Sequence, residues 1–192
     1  MLIATSPKIR FTVREYFRMS DAGVFDDRRV ELIDGRILQM PPQGIPHVAC
    51  VSKCTTVCSR HFSDNSKFWL AVQSTYMVQK YDAPEPDVYI LKCPVGTPQS
   101  KQPKAFLVIE ASNKTYKRDS GIKLRRYAAA GIQDYWIVNL REKRVEVYRK
   151  PENSTGKKRD WQYGSIEHFY AGDSIKLLAY PKIRFPVKEM LP

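Results

Sequence analysis

The stretch KAFLVIEAS, residues 104–112, places the strongest constraint on this chain: five consecutive apolar residues run straight into a carboxylate, Glu110. An apolar run without polar alternation suits a central β-strand covered on both faces. Such a strand requires further strands beside it and helices above and below it. A carboxylate closing it is costly to bury unless it is paired or binds a cation.

The rest of the chain supplies those elements. Thr12-Val-Arg-Glu15 matches a capping box and opens a helix that ends near Gly23. VELIDGRILQM, residues 30–40, reads as a hairpin turning at Asp34-Gly35, stopped by Pro41 and Pro42. A helix from Pro46 to Phe62 follows, then KFWLAVQSTYMVQ and, after DAPEP, PDVYIL as strands. Beyond the loop at 94–103 and the apolar strand, a helix is expected from about Asp119, with Ile122, Tyr127 and Ala130 as its apolar positions and Gly131 as a left-handed cap. DYWIVN, 134–139, is a strand. RVEVYRK and RDWQYG pair across ENSTG as a late hairpin, and SIKLLAY with the proline-bearing end reads as a short edge strand and a tail. The order predicts one α/β domain over residues 1–192, a mixed central sheet flanked by helices. Periodicity does not determine the strand order.

A single core is within reach, since 43% of the 192 residues are hydrophobic, with 11 Tyr, 8 Phe and 3 Trp. No run approaches the roughly 18 apolar residues of a membrane span, and MLIATSPKIR has no apolar core followed by a cleavage site. The expectation is a cytoplasmic protein with no membrane partner.

Four cysteines, Cys50, Cys54, Cys58 and Cys93, lack the paired spacing of a structural zinc site. Three step by four along one helix. With His47 and His61 they could form a metal face, but Val51, Cys54, Cys58 and Phe62 repeat as a core-facing seam.

The formal charge is +12. It fits a polyanion partner, or only solubility. From Lys92 to Arg126, nine basic residues stand against two acidic ones, Glu110 and Asp119, so +7 lies in that stretch. Asp87 opens PDVYIL, and two carboxylates on neighbouring strands could hold a hard divalent cation. Each could equally be a strand-end acid salt-bridged to a nearby Lys or Arg.

The ordered set Glu31, Pro86-Asp87, Ile109-Glu110-Ala111-Ser112, Asp119, Lys123, Tyr127, Gly131 and DYWIV at 134–138, with FTVREYF, VELIDGRI and His47 heading the second helix, resembles the Uma-type restriction endonucleases. These are a branch of the PD-(D/E)XK nuclease superfamily, and the resemblance covers roughly residues 11–150, leaving a C-terminal hairpin and tail at 141–192. It implies a restriction-endonuclease-like core in which Asp87, Glu110 and the backbone carbonyl of Ala111 hold Mg2+ or Mn2+, with Glu31 as an additional acid. Ser112 stands where the name-giving lysine belongs, two residues after the Glu. Lys123 on the next helix then supplies the ammonium group, or is one more solvated lysine.

The resemblance further implies DNA as substrate and phosphodiester hydrolysis, and the basic stretch around the acids would then hold the nucleic-acid backbone through Lys114, Lys117, Arg118, Arg125 and Arg126. Three residues are accessory candidates. Gln73 could point toward the cleft. Tyr127, one turn beyond Lys123, contacts phosphate or packs. His47 touches substrate or serves the helix start. Trp136 is expected in the core, and Asn139 stands where the family often has an acid, with no role attached. The expected activity is a metal-dependent DNA endonuclease, a homodimer because a duplex break needs two cuts. The alternative is a nucleic-acid-binding protein of the same fold that does not cleave, kept open by Ser112. A partner or scaffold role through residues 140–192 has little in its favour.

Overall fold

The apolar run becomes the middle of the molecule. In a computed structural model describing residues 9–157 and 160–192, β5 (Leu107–Ser112) is buried at every position. It lies in a six-stranded sheet with β3 (Trp69–Val72), β4 (Val88–Leu91), β6 (Asp134–Asn139), β7 (Arg144–Glu152) and β8 (Gln162–Phe169), ordered β3-β4-β5-β6-β7-β8. β5 and β6 run parallel and the other neighbouring pairs antiparallel. The N-terminal MLIATSPK and residues 158 and 159, where the RDWQYG arm begins, lie outside the described residues.

The pleat sends alternate β5 residues to opposite faces. Leu107, Ile109 and Ala111 pack under α2 (Ile45–Phe62), whose Val51, Cys54, Cys58 and Phe62 form the expected seam, with Cys50 and Trp136 among them. All four cysteines are free and buried, and burial pushes the Cys58 thiol up to about 12, the behaviour of a core residue. On the other face Val108 meets Tyr127, Ala128 and Ala130.

The helix over that second face starts at Tyr116, ahead of the expected Asp119. It runs as α3 (Tyr116–Arg118), a π turn (Asp119–Lys123) and α4 (Leu124–Ala130), and ends at Gly131 with φ +76°. Its first turn, Tyr116-Lys117-Arg118, buries no residue, so hydrophobic periodicity gave no sign of it. A π turn inside a helix frequently marks a functional site.

Three further expectations are corrected. KFWLAVQSTYMVQ is strand only to Val72, because Gln73 at φ +44° turns the chain, and the segment beyond it packs on the N-terminal hairpin through a Leu32–Ala83 bridge. β8 extends through GSIEHF to Phe169. The C-terminal segment is neither an edge strand of the central sheet nor a tail: β9 (Ser174–Lys176) and β10 (Arg184–Pro186) form a sheet of their own. Ile175, Leu177, Phe185, Val187 and Met190 are fully buried against α2, where each contributes about 1.5–3 kcal/mol of apolar transfer.

The N-terminal unit follows the sequence closely. α1 (Val13–Asp21) carries the capping box of Thr12 and Glu15, and β1 (Val30–Ile33) pairs with β2 (Arg36–Gln39) around Asp34 and Gly35, both at positive φ as a two-residue hairpin turn requires. Among the described residues no helix is long and apolar enough to cross a membrane.

Candidate active site

Strand register builds the site. Val88 pairs with Ile109 and Val72 with Val88. One step further, the same antiparallel registers set Gln73, Asp87 and Glu110 in a row across β3, β4 and β5. Asp87 and Glu110 of this row line a cleft of about 290 Å³, together with Glu31's partner Arg118, Lys123 and Asp119 of the π turn, and His47 of α2, while Gln73 meets it through its bond to Asp87.

Asp87 is held from three sides. Gln73 Nε2 donates to Oδ1 at 3.1 Å, the Ala111 amide donates to Oδ2 at 2.8 Å, and His47 Nε2 lies 3.1 Å from Oδ2. Burial works against its charge, yet His47, Gln73 and the Ala111 amide outweigh it and hold the carboxyl below its usual range. Gln73 grips Asp87 a second time, its amide donating to the Asp87 carbonyl at 3.1 Å.

Glu110 sits in a different environment. Lys123 Nζ and the Tyr127 hydroxyl both donate to its Oε1 at 2.9 Å. Lys123 is itself enclosed by carboxylates, 3.2 Å from Glu31 and 4.0 Å from Asp119, and Ser112 Oγ donates to Asp119 at 2.5 Å. Glu31, Asp87, Glu110 and Asp119 are all buried, and among the described residues their ion pairs are with Lys123, Arg118 and His47. Burial, helped by Asp119 and Asp87 and opposed by Lys123, pushes the Glu110 carboxyl up to about 8. Burial also penalises the Lys123 ammonium, but Glu110, Glu31 and Asp119 more than compensate and keep it protonated.

The profile of the Uma2 family, described as "Putative restriction endonuclease", matches residues 13–188. The chain belongs to the Uma2 family. Its fold is shared by a solved structure from Anabaena variabilis, described as "a putative nuclease belonging to DUF820", with a TM-score of 0.64 and 17% identity over 94% of this chain and 97% of that one. No curated protein matches. The Uma2 match extends past the residue 150 at which the resemblance was expected to stop, in keeping with a C-terminal segment that fills the core.

The residues of this Uma2 site fit a divalent cation by charge. Four buried carboxylates exceed the cations beside them, Glu110 binds a proton at neutral pH more readily than a carboxyl should, and Glu31 Oε1 is buried without a hydrogen bond. Among the described residues no three Asp, Glu, His or Cys side chains enclose a metal position by themselves. That suits an ion such as Mg2+, which takes few carboxylates and completes its shell with water and substrate phosphate.

The sequence-derived candidates divide. Asp87, Glu110, Lys123, Glu31, Gln73, Tyr127, His47 and Ala111 come together. Exposed Lys114 and half-buried Arg118 line the cleft, whereas exposed Lys117 and Arg125 do not. Arg126, expected on phosphate, instead makes a bidentate pair with Asp82 at 2.8 and 2.7 Å and ties α4 to the N-terminal unit. Asn139 donates to Glu146 at 3.0 Å, a structural bond. Asp119 stands in the sequence as an acid within the basic stretch, the expected helix start and a member of the family pattern, with no site role of its own. Its contact with Ser112 depends on the π turn, which no spacing rule announces.

Proposed function

We propose that this chain is a metal-dependent DNA endonuclease, with Mg2+ or Mn2+ held by Asp87 and Glu110, aided by the Ala111 carbonyl and Glu31. The observation that carries the reading is the placement of Asp87 opposite Glu110 in a buried excess of carboxylates with Lys123 at 2.9 Å from Glu110. A bound divalent cation supplies charge stabilisation to the phosphate and a more acidic water. Gln73, His47 and the Ala111 amide hold Asp87 ionised and oriented. Lys123 and Tyr127 orient Glu110, and the Lys123 ammonium adds fixed positive charge where the phosphate gains negative charge. Lys114 and Arg118 at the cleft give the nucleic-acid backbone its contacts. The non-cleaving alternative rested on Ser112. Here Ser112 anchors Asp119 while Lys123 brings the ammonium from the helix, which supports catalysis. The reading places the protein in the cytoplasm; one chain suffices for a nick, and a homodimer delivers the paired cuts of a duplex break.

The test is nicking of supercoiled plasmid with Mg2+ or Mn2+ against EDTA. The wild type nicks only with the metal, Glu110→Ala does not nick, and Lys123→Ala is slower by about 10²–10³-fold. Wild-type plasmid left intact in metal, or nicking by Glu110→Ala at the wild-type rate, overturns the reading. Binding without cleavage would favour the alternative.

A further inference from the structure

Two segments line the cleft, and their chemistry differs. Residues 113–118, after β5, bring Asn113, Lys114, Thr115 and Arg118. Residues 40–44, between β2 and α2, bring Met40, Pro41 and Pro42 with Gln43 and Gly44, and the first turn of α2 brings Pro46. Beside them on the first turn of α2, Ile45 is 86% exposed and Val48 48% exposed. Pro41, Pro42, Ile45 and Pro46 are exposed and Met40 is half-buried, an apolar ridge on a chain carrying a charge of +12. It is also stiff. Three prolines restrict it, the Met40 amide donates to the Arg29 carbonyl at 2.9 Å, and the Gly44 carbonyl accepts from the amides of His47 and Val48.

An exposed apolar patch of this kind marks a contact surface, and phosphate does not explain it. Phosphates are matched by Lys114 and Arg118 across the same cleft. A paired duplex offers phosphates, sugars and groove edges, and keeps its base faces stacked inside. An unpaired strand offers a phosphate and a free base face at every nucleotide; proteins track such strands with a positive groove and hold the exposed base faces against aromatic or apolar side chains. The acids are also recessed, with Glu110 only 3% exposed, in a cleft at the small end of ligand-pocket size.

We infer that the cleft is shaped for an unpaired stretch of nucleic acid, its backbone on Lys114 and Arg118 and its bases on the ridge formed by Met40, Pro41, Pro42, Ile45 and Pro46. The inference deepens the endonuclease reading and rests on it only for the position of the phosphate to be cut. Binding and cleavage are therefore tested separately.

Fluorescence anisotropy, in EDTA and again in Ca2+, compares a labelled single strand, its duplex, and the duplex with a central unpaired loop. The single strand and the looped duplex bind about tenfold more tightly than the duplex, the worth of one or two base contacts. The Met40→Ser/Ile45→Ser double variant, at positions that fill no core, melts as the wild type and brings the single strand down to duplex affinity while leaving the duplex unchanged. Lys114→Ala weakens all three. Duplex binding as tight as single-strand binding overturns the inference and leaves the endonuclease reading standing. So does a double variant that weakens the duplex equally, the result expected of a ridge that kinks paired DNA as a wedge. Single-strand preference with no cleavage of the single strand, the looped duplex or the plasmid by the wild type in Mg2+ or Mn2+ removes the endonuclease reading alone, and binding of none of the three removes both.

Discussion

Asp134 and Glu110 lie on adjacent strands, both out of solvent, and they are treated in opposite ways. Asp134 receives hydrogen bonds from Trp136 Nε1 at 2.5 Å, the Leu178 amide at 2.8 Å, and Arg149 at 2.9 and 3.3 Å. Both of its oxygens are engaged, and it joins β6, β7 and the C-terminal segment. Glu110 receives two bonds, both on Oε1, and looks onto Asp87 and Asp119 with the buried Glu31 across Lys123. A buried carboxylate that serves structure is saturated by donors. Glu110, left short of positive charge, is the one assigned to the cation in the proposed function.

The sharpest way to break this contrast is at Asp134. Asp134→Ala strands Arg149 and the Trp136 indole without their shared acceptor and should cost about 3–5 kcal/mol in urea unfolding, while nicking per folded molecule stays unchanged. A loss below about 1 kcal/mol, the range of an exposed pair, would remove Asp134 from the structural class.

Gln73 tests the site from the other direction. Its positive φ is strained for a residue with a side chain, and it grips Asp87 through both amides. Gln73→Gly relieves the backbone and deletes the side chain. Stability should move by no more than about 1 kcal/mol, whereas Mn2+ affinity by calorimetry should fall about 10–100-fold, as when a group orienting a metal ligand is lost. Unchanged Mn2+ affinity would make Gln73 a loop residue only.

A pH dependence of opposite sign also separates the two kinds of carboxylate. The Glu110 carboxyl titrates near 8 when folded against 4.5 as an ordinary carboxyl, so the folded state holds the extra proton between those values. Metal-free stability should fall as pH rises from about 4.5 to 8, and Glu110→Gln should flatten that slope in melts in EDTA. Glu146 is the reverse. Burial raises its carboxyl, but the hydroxyls of Tyr148 and Tyr116 with Asn139 and Arg144 hold it below its usual range. Its contribution is present at neutral pH and is lost only as pH falls below the ordinary carboxylate range, so Glu146→Gln should flatten the acid limb instead. Equal slopes in wild type and Glu110→Gln would mean that the site is not short of positive charge.

Much of this was legible in the chain because it depends on short-range chemistry. The Thr12–Glu15 box, the Asp34-Gly35 turn, the cysteine seam and the Gly131 cap are each decided within a few residues. The apolar run ending at Glu110 already stated that an acid would be buried. What local pattern could not supply was anything that depends on register or long-range packing. Gln73 belongs to the site because two antiparallel pairings carry it opposite Asp87. Arg126 left the proposed phosphate contacts because Asp82, 44 residues away, meets it. The C-terminal segment read as a tail because its apolar residues are separated by prolines and lysines, and only the space beneath α2 gives them a place.

The sequence by itself determined the α/β elements, the central buried strand, and an acid that needs a counter-charge, since burial of apolar runs and local capping are properties of the chain. Only the tertiary structure decided which charges meet. Strand register sets Asp87 against Glu110, and the π turn brings Asp119 to Ser112 and Lys123 into the same cluster. Electrostatic interaction depends on distance in space and on exclusion of water, and separation along the chain encodes neither.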